Sequence, residues 1–360
     1  MNLTLHLTDG CNLDCTYCTQ QHGAAVMTED VLHAACDLAF SEGPHAGFCF
    51  FGGEPLLCED LIYETIDFCR MRSEETGKPV YYRMTTNGTL LSDRLLARAV
   101  TEQMEIALSF DGLMQDICRC YRNGAGSFAE TETAAKHLLA ALPDSTVMMT
   151  IAPQAAERFA ASVRYLYALG FRSIHAVPAY GKKVCWDGAA RETLCAQMRE
   201  AAAFYGECLL ADAPFYFSPV ESKIRGLLTG SSPNKRCHLG FTQMPVAPDG
   251  RIYACNQFIG DDAYCLGNVF DGIEKKKCAA LAIRYAPPAR CRSCSLKSRC
   301  LHSCGCLNRL ETGDAAQVSD FQCGYEKMLI RLADETAAHL IETDKPCFDR
   351  YFRQNGRDSG

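Results

Sequence analysis

Short apolar runs alternate with longer amphipathic stretches through the first half of the chain. Residues 3–7 form a strand-type run that leads into a cysteine-bearing loop. Residues 28–42 carry apolar side chains at helical spacing, with Thr28 in the N-cap position. Residues 48–51 are a continuous apolar run closed by Gly52-Gly53, which predicts a strand and then a turn. The pattern continues with helix 61–72, strand 80–84 before the turn residues Asn87-Gly88, helix 91–100 and strand 106–110 ending at Asp111-Gly112. Helix 128–141, strand 146–151, helix 155–169 and strand 173–177 follow. Repeated strand–helix units of this length predict an α/β fold whose parallel sheet is covered by helices, as an open sheet or a barrel.

The alternation stops near Val177. A Gly/Lys/Trp segment is followed by a helical stretch, 191–210, and then by the linker Ser231-Ser232-Pro233-Asn234. From Cys237 onward cysteines and turn residues dominate, which predicts a small domain organised by metal rather than by an apolar core. A last amphipathic pattern, 325–341, predicts a C-terminal helix.

Composition narrows the function. The 360 residues suffice for one large domain and a smaller one. A net charge of −7 without a long basic run argues against a nucleic-acid partner and leaves a peptide substrate open. No stretch approaches the roughly 20 apolar residues of a membrane span. The opening MNLTLHLTDGCNLDC has neither the basic nor the apolar part of a signal peptide, so a cytoplasmic protein is expected. In that compartment 23 cysteines point to metal or clusters rather than disulfides.

Cys11, Cys15 and Cys18 lie in a CxxxCxxC pattern after the first predicted strand. A [4Fe–4S] cluster normally takes four cysteines, so three leave one iron open for a substrate group. Spacing alone leaves open a zinc or electron-transfer site completed by a distant cysteine. Neighbouring motifs decide between these. Tyr17 supplies the aromatic of CxxxCx(aromatic)C, and Phe51-Gly52-Gly53-Glu54-Pro55 follows the second strand. Thr85-Thr86-Asn87-Gly88-Thr89 and Ser109-Phe110-Asp111-Gly112 close two more. All sit at C-terminal strand ends, where parallel βα folds place ligands.

With these motifs the chain resembles the radical S-adenosylmethionine (SAM) superfamily over roughly residues 1–180. The resemblance implies a partial (βα)6 barrel and a [4Fe–4S] cluster on Cys11, Cys15 and Cys18 that chelates the amino and carboxylate groups of SAM. Gly52, Gly53 and Glu54 would hold the amino group, and glycines suit a backbone that must approach a ligand closely. Asn87 and Ser109 would line the SAM site. Arg119, with Arg122 as its rival, would stand near the carboxylate.

The later cysteines form a second array: Cys237, Cys255 with four residues between it and Gly250, then Cys291, Cys294, Cys300 and Cys304, and finally Cys323. Isolated CxxC pairs suit structural zinc. The whole array resembles the SPASM domain, which implies two auxiliary [4Fe–4S] clusters. The first would use Cys237, Cys255 and Cys304, with either His238 or an open iron in fourth place. The second would use Cys291, Cys294, Cys300 and Cys323. The remaining cysteines, Cys306 among them, read as small buried hydrophobes. The expected organisation is a barrel at 1–180, a helical connector at 181–234, the auxiliary-cluster domain at 235–345 and a tail at 346–360.

The resemblance implies an enzyme in which a 5′-deoxyadenosyl radical removes hydrogen from a residue of a peptide or protein. An electron donor such as flavodoxin or ferredoxin would start the reaction. Sulfatase-maturing members carry an aspartate base directly after the cysteine matching Cys255, whereas this chain has Asn256, which takes no proton. Residues 253–260 look more like thioether-forming maturases of ribosomally made peptides. Thioether formation is therefore the favoured outcome, with carbon–carbon cross-linking and formylglycine formation as alternatives. An electron carrier without radical chemistry is the remaining class, against which the strand-end motifs weigh. Because the chain starts almost on its first strand, peptide recognition is expected elsewhere in it or in a partner.

Overall fold

A computed structural model describes residues 1–230, 240, 243–284, 289–301 and 304–354. The linker at 231–234 lies outside the described residues, as do Cys237 and His238. In chain order the elements are β1 (Asn2–His6), α1 (Glu29–Ser41), β2 (Ala46–Phe51), α2 (Glu59–Thr76), β3 (Val80–Thr86), α3 (Asp93–Thr101), β4 (Glu105–Ser109), α4 (Gln115–Cys118) and α5 (Phe128–Ala141). They continue with β5 (Thr146–Ile151), α6 (Phe159–Leu169), β6 (Ser173–Pro178), α7 (Gly188–Leu210), β7 (Tyr216–Phe217), α8 (Ser218–Thr229), β8 (Gln243–Val246), β9 (Arg251–Tyr253), β10 (Cys265–Asn268) and β11 (Gly272–Ile273). The last are α9 (Lys275–Arg284), α10 (Gly305–Thr312) and α11 (Asp320–Asp349). The fold is α/β, with a parallel-strand core and a helical C-terminal region, as the residue pattern predicts. Among the described residues no helix is long and apolar enough to cross a membrane.

The chain forms two compact units. The first comprises Met1–Ser109, Arg119–Ser145 and Cys237–Ala286. Its strands run in the order β11-β10-β9-β8-β1-β2-β3-β4. Pairing is parallel from β8 to β4 and antiparallel from β8 to β11. Leu3 is in register with Phe48, Phe48 with Tyr82, and Met84 with Ile106. Register partners share a face, so these buried side chains, with Leu5, Phe50 and Leu108, form one apolar surface. Helices α1 and α2 pack against these strands. The opposite face of the same strands carries Thr4, His6, Cys49, Phe51, Thr85 and Ser109. Helix α1 starts as its sequence predicts, with the Thr28 side chain accepting from Val31 N.

The second unit comprises Phe110–Cys118, Thr146–Arg236 and Pro287–Gly360. Parallel strands β5, β6 and β7 meet a helical layer in which α11 packs on α7 and α8. Its core is aromatic: the Tyr205 ring meets Phe215 edge-on at 5.5 Å, and Phe159 stacks on Phe217 at 6.4 Å. The expected C-terminal helix 325–341 is the middle of α11. That helix breaks at Asp344 (φ −152°, ψ 82°), whose Oδ1 accepts from Cys347 N at 3.0 Å. Asp344 thus caps a new turn that carries Pro346 near its start, where a missing N–H costs nothing.

One ion pair is fully enclosed in this helical layer. Lys223 Nζ lies 2.7 Å from Glu326 Oε2, and both side chains are 4% exposed. Leu301 N donates to the same oxygen at 2.8 Å. Removing one partner strands a buried charge. Glu326→Gln is expected to cost about 3–5 kcal/mol. Adding Lys223→Met should restore most of that loss in anaerobic thermal unfolding, whereas additive losses would contradict the pairing.

Candidate active site around the first cysteine loop

The first cysteine loop leaves β1 and is fastened to the turn after β2 by backbone bonds. Leu7 N donates to Phe51 O, Gly53 N to Thr8 O at 2.9 Å, and Glu54 N to Gly10 O at 2.8 Å. These contacts explain both glycines. Gly52 has φ +133°, and a Cβ there would stand 2.4 Å from Thr8 O. A Cβ on Gly53 would stand 2.0 Å from Gly10 O. The crowding that a side chain would create is therefore with the cysteine loop itself. Within the loop Cys18 N donates to Cys15 O at 2.9 Å, a turn that brings two of the three thiol-bearing residues together. Burial raises the Cys11 thiol, with Glu54 and Cys18 acting in the same direction and the Leu13 backbone and Arg119 opposing.

Glu54 ties the motifs to one another. It is 1% exposed. Its Oε1 accepts from Leu56 N at 3.1 Å and from Thr86 Oγ1 at 2.7 Å, and its Oε2 accepts from Asn87 N at 2.7 Å. Asn87 Nδ2 in turn donates to Asn12 Oδ1 at 2.9 Å, and Asn12 Nδ2 donates to Thr89 Oγ1 at 2.7 Å. One hydrogen-bonded net thus joins the cysteine loop to the turns after β2 and β3. Arg119 is buried over the Tyr17 ring at 5.4 Å, whereas Arg122 is exposed. Ser109 ends β4, half-buried on the same strand face as Thr85. Asp111, of the same motif as Ser109, is fully buried in the second unit, where its Oδ1 accepts from Thr150 N at 2.8 Å.

Sequence reasoning did not single out His6. It lies on β1, 2% exposed, with Nε2 at 3.3 Å from Asn256 Oδ1 and its ring 5.1 Å from that of Phe51. Burial lowers its pKa to about 4, opposed by the Asn256 contact, so the imidazole is neutral at pH 7. The segment after Cys255 also reaches the residues that follow Cys18: Thr19 Oγ1 donates to Gln257 Oε1 at 2.6 Å, and Gln20 Nε2 to Asn256 O at 3.5 Å. The signal for His6 was its place, a polar residue alternating with leucines just before the cysteines.

In the second unit Cys291, Cys294, Cys300 and Cys323 line a single cavity of about 530 Å³ with Arg290, Lys297 and Lys327. Cys294 N donates to Cys291 O at 3.2 Å. Burial raises the Cys291 thiol while Arg290 pulls it down. Among the described residues no three His, Cys, Asp or Glu side chains converge closely enough for a single metal ion. The four thiols surround a larger volume. Cys255 precedes the short turn Asn256–Phe258 in the first unit. Cys304 precedes α10 in the second unit, with its Sγ 3.3 Å from Cys306 Sγ.

Residues 5–166 match the family profile described as the radical SAM superfamily. The chain carries a radical SAM domain. The cysteine-type anaerobic sulfatase-maturating enzyme of Clostridium perfringens strain 13 is 21% identical to it over 350 residues, 88% of this chain and 90% of that one. Mycofactocin maturase MftC of Mycobacterium ulcerans is 26% identical over 322 residues, 84% and 82% of the two chains. The solved structure of native anSMEcpe with bound AdoMet and Kp18Cys peptide has a TM-score of 0.82 at 19% identity, covering 95% of this chain and 99% of that one. At that identity the likeness shows the fold. The radical SAM domain at residues 5–166 implies radical chemistry with a [4Fe–4S] cluster and SAM as cofactors.

Glu54 gives the site around the first cysteine loop a measurable pH signature. Burial pushes its carboxyl from 4.5 up to about 7, against the pull of its Asn87, Thr86 and Leu56 donors and of Arg119. Between those values the folded state keeps a proton that the unfolded state has lost. Stability from this group is full below 4.5 and declines by roughly 3 kcal/mol as pH rises through 7. Glu54→Gln lacks that decline. Anaerobic melting without SAM should therefore show the Tm of the variant gaining on wild type between about pH 5 and about pH 8. A constant gap would contradict the assignment.

Proposed function

We propose that this radical SAM enzyme modifies a peptide, joining a cysteine sulfur of the substrate to a carbon as a thioether. The observation that carries the reading is the contact of the Cys255 segment with the first cysteine loop, through Gln20–Asn256, Thr19–Gln257 and His6–Asn256. A substrate residue held beside Cys255 then lies next to the loop that starts the chemistry. The sulfatase-maturating and mycofactocin-maturating relatives, and the peptide bound in the anSMEcpe structure, support a peptide substrate.

Cys11, Cys15 and Cys18 would hold the SAM-binding cluster, a donor set of three thiols on one backbone-anchored loop. The four thiols around the second cavity, with three basic side chains beside them, suit an auxiliary [4Fe–4S] cluster. The assignment of Cys237, Cys255 and Cys304 to another rests on the sequence array, as do the domain limits at 180, 234 and 345. When bound, the clusters and SAM supply the radical that takes a hydrogen atom and the acceptor for the remaining electron. The protein's residues position. Glu54 fixes Asn87 and the turn after β3, while Gly52 and Gly53 let that turn's partner lie flat on the cysteine loop. Arg119, held over the Tyr17 ring, would pair with the SAM carboxylate, and Ser109 closes the strand-end row. Asn256 provides no carboxylate base beside Cys255, which favours sulfur–carbon bond formation over removal of sulfur. A flavodoxin- or ferredoxin-type donor in the cytoplasm completes the reading.

A second reading, formylglycine formation, draws on the sulfatase-maturating relative and on the neutral His6 imidazole 3.3 Å from Asn256, a base in place of the absent aspartate. Mass spectrometry of a cysteine-containing peptide coexpressed with the enzyme separates the two. A thioether product is two hydrogens lighter per link and resists alkylation, whereas formylglycine has lost its sulfur. The radical step has its own test. Changing Cys11, Cys15 and Cys18 together to Ala should abolish 5′-deoxyadenosine formation under a strong reductant and lower iron by about four per chain. Undiminished 5′-deoxyadenosine would sink the reading.

A further inference from the structure

A second cavity, of about 340 Å³, opens in the second unit beside the C-terminal end of β6. Its size falls at the small end of ligand sites. None of the cysteines or SAM-motif residues described above lines it. The walls are mainly apolar: Val177 and Pro178 from β6, Leu301, Leu307, and Leu329 from α11. Val177 is 52% exposed although it is apolar and sits on a strand of the core sheet.

Two lining residues carry polar atoms that the fold leaves unused. Gln322 Oε1 and Tyr325 Oη are buried without a hydrogen-bond partner among the described residues, on side chains of residues that are 1% and 7% exposed. The Gln322 amide is not free to turn away, because its Nε2 donates to Leu301 O at 3.3 Å. A buried polar atom without a partner forfeits the hydrogen bonds that water gave it. Two such atoms on adjacent turns of one helix, both beside a cavity, mark where a ligand would bond. The charges around the cavity cancel. Lys223 and Glu326 are paired with each other at 2.7 Å, and burial lowers the pKa of His175. The ligand is therefore neutral.

We infer that this cavity binds one residue of the peptide substrate, taking an apolar side chain into its interior and pairing the backbone amide with Gln322 and Tyr325. A backbone N–H donates to Gln322 Oε1, and a backbone carbonyl accepts from the Tyr325 hydroxyl. An amide supplies both halves of that pattern, and an apolar side chain matches the walls. The inference rests on the peptide-modifying reading and adds to it the class of residue that anchors the substrate.

N-acetyl-leucinamide is a probe that contains only these features. Calorimetry on the cluster-loaded protein under anaerobic conditions should show saturable binding of this probe and none of acetamide. Tyr325→Phe keeps the ring and removes the hydroxyl, and should weaken the probe by about 3- to 10-fold. Val177→Phe fills the mouth of the cavity and should weaken it by roughly tenfold or more. Iron content equal to wild type checks that each variant has folded. If Tyr325→Phe does not fold, Val177→Phe decides alone. Absence of saturable binding to wild type, or undiminished binding to folded Val177→Phe, overturns the pocket while leaving peptide modification to its own mass measurement. Undiminished binding to folded Tyr325→Phe overturns the amide pairing, since the hydroxyl then meets only water.

Discussion

A single buried carboxylate holds the site around the first cysteine loop in shape. Glu54 receives three donors, from Leu56, Thr86 and Asn87, and so joins the turn after β2 to the turn after β3. Burial favours the protonated form of so enclosed a carboxyl, and the three donors pull the other way, leaving its pKa at about 7. Its neighbours then fall into line. Asn87 reaches Asn12 on the cysteine loop, and Asn12 reaches back to Thr89. The loop bearing Cys11, Cys15 and Cys18 carries little regular structure of its own, so its conformation is set by this net and by the backbone bonds at Thr8 and Gly10.

Much of this was legible in the residue pattern, for a physical reason. The core strands of the first unit bury alternate residues against helices, so β1 to β4 leave alternating or continuous apolar runs with turn residues at their ends. Helix α5 and strand β5 were placed at their observed limits, Phe128–Ala141 and Thr146–Ile151. Strands β7 to β11 were not foreseen. None exceeds four residues, and a strand that short shows no period. The first four residues of the helix expected over 155–169 belong to a 3-10 helix, Pro153–Arg158, before α6 begins, because a proline opens the segment and apolar spacing does not separate the two helix types.

Site residues divide in the same way. Motif residues stand out because their types are rare in combination, and the structure brings Gly52, Gly53, Glu54 and Asn87 to the cysteine loop. One reason for the glycines was not legible: the family resemblance pointed to a ligand, and the structure adds the close approach of Thr8 O and Gly10 O. His6 and Asn256 are 250 positions apart, and no local pattern links them. Gln322 and Tyr325 fit the apolar face of α11 by position, and only the cavity beside them shows their unused polar atoms.

The two cysteine sites face different electrostatic problems. At the first, burial and the Glu54 carboxylate both disfavour the Cys11 thiolate, with Arg119 the nearby positive group opposing them. At the second, Arg290, Lys297 and Lys327 line the cavity while the whole chain carries a net charge of −7. Arg290 is held there by Asp320 at 2.8 Å, so its position does not depend on the thiols. Four thiolates cannot share such a cavity unless positive charge neutralises them, and the basic rim meets only part of that need. In the proposed auxiliary cluster iron would supply the remainder. Loading that site would release protons and tie the loop bearing Cys291, Cys294 and Cys300 to α11 through Cys323. The order of that loop and the occupancy of the cavity would then be one equilibrium.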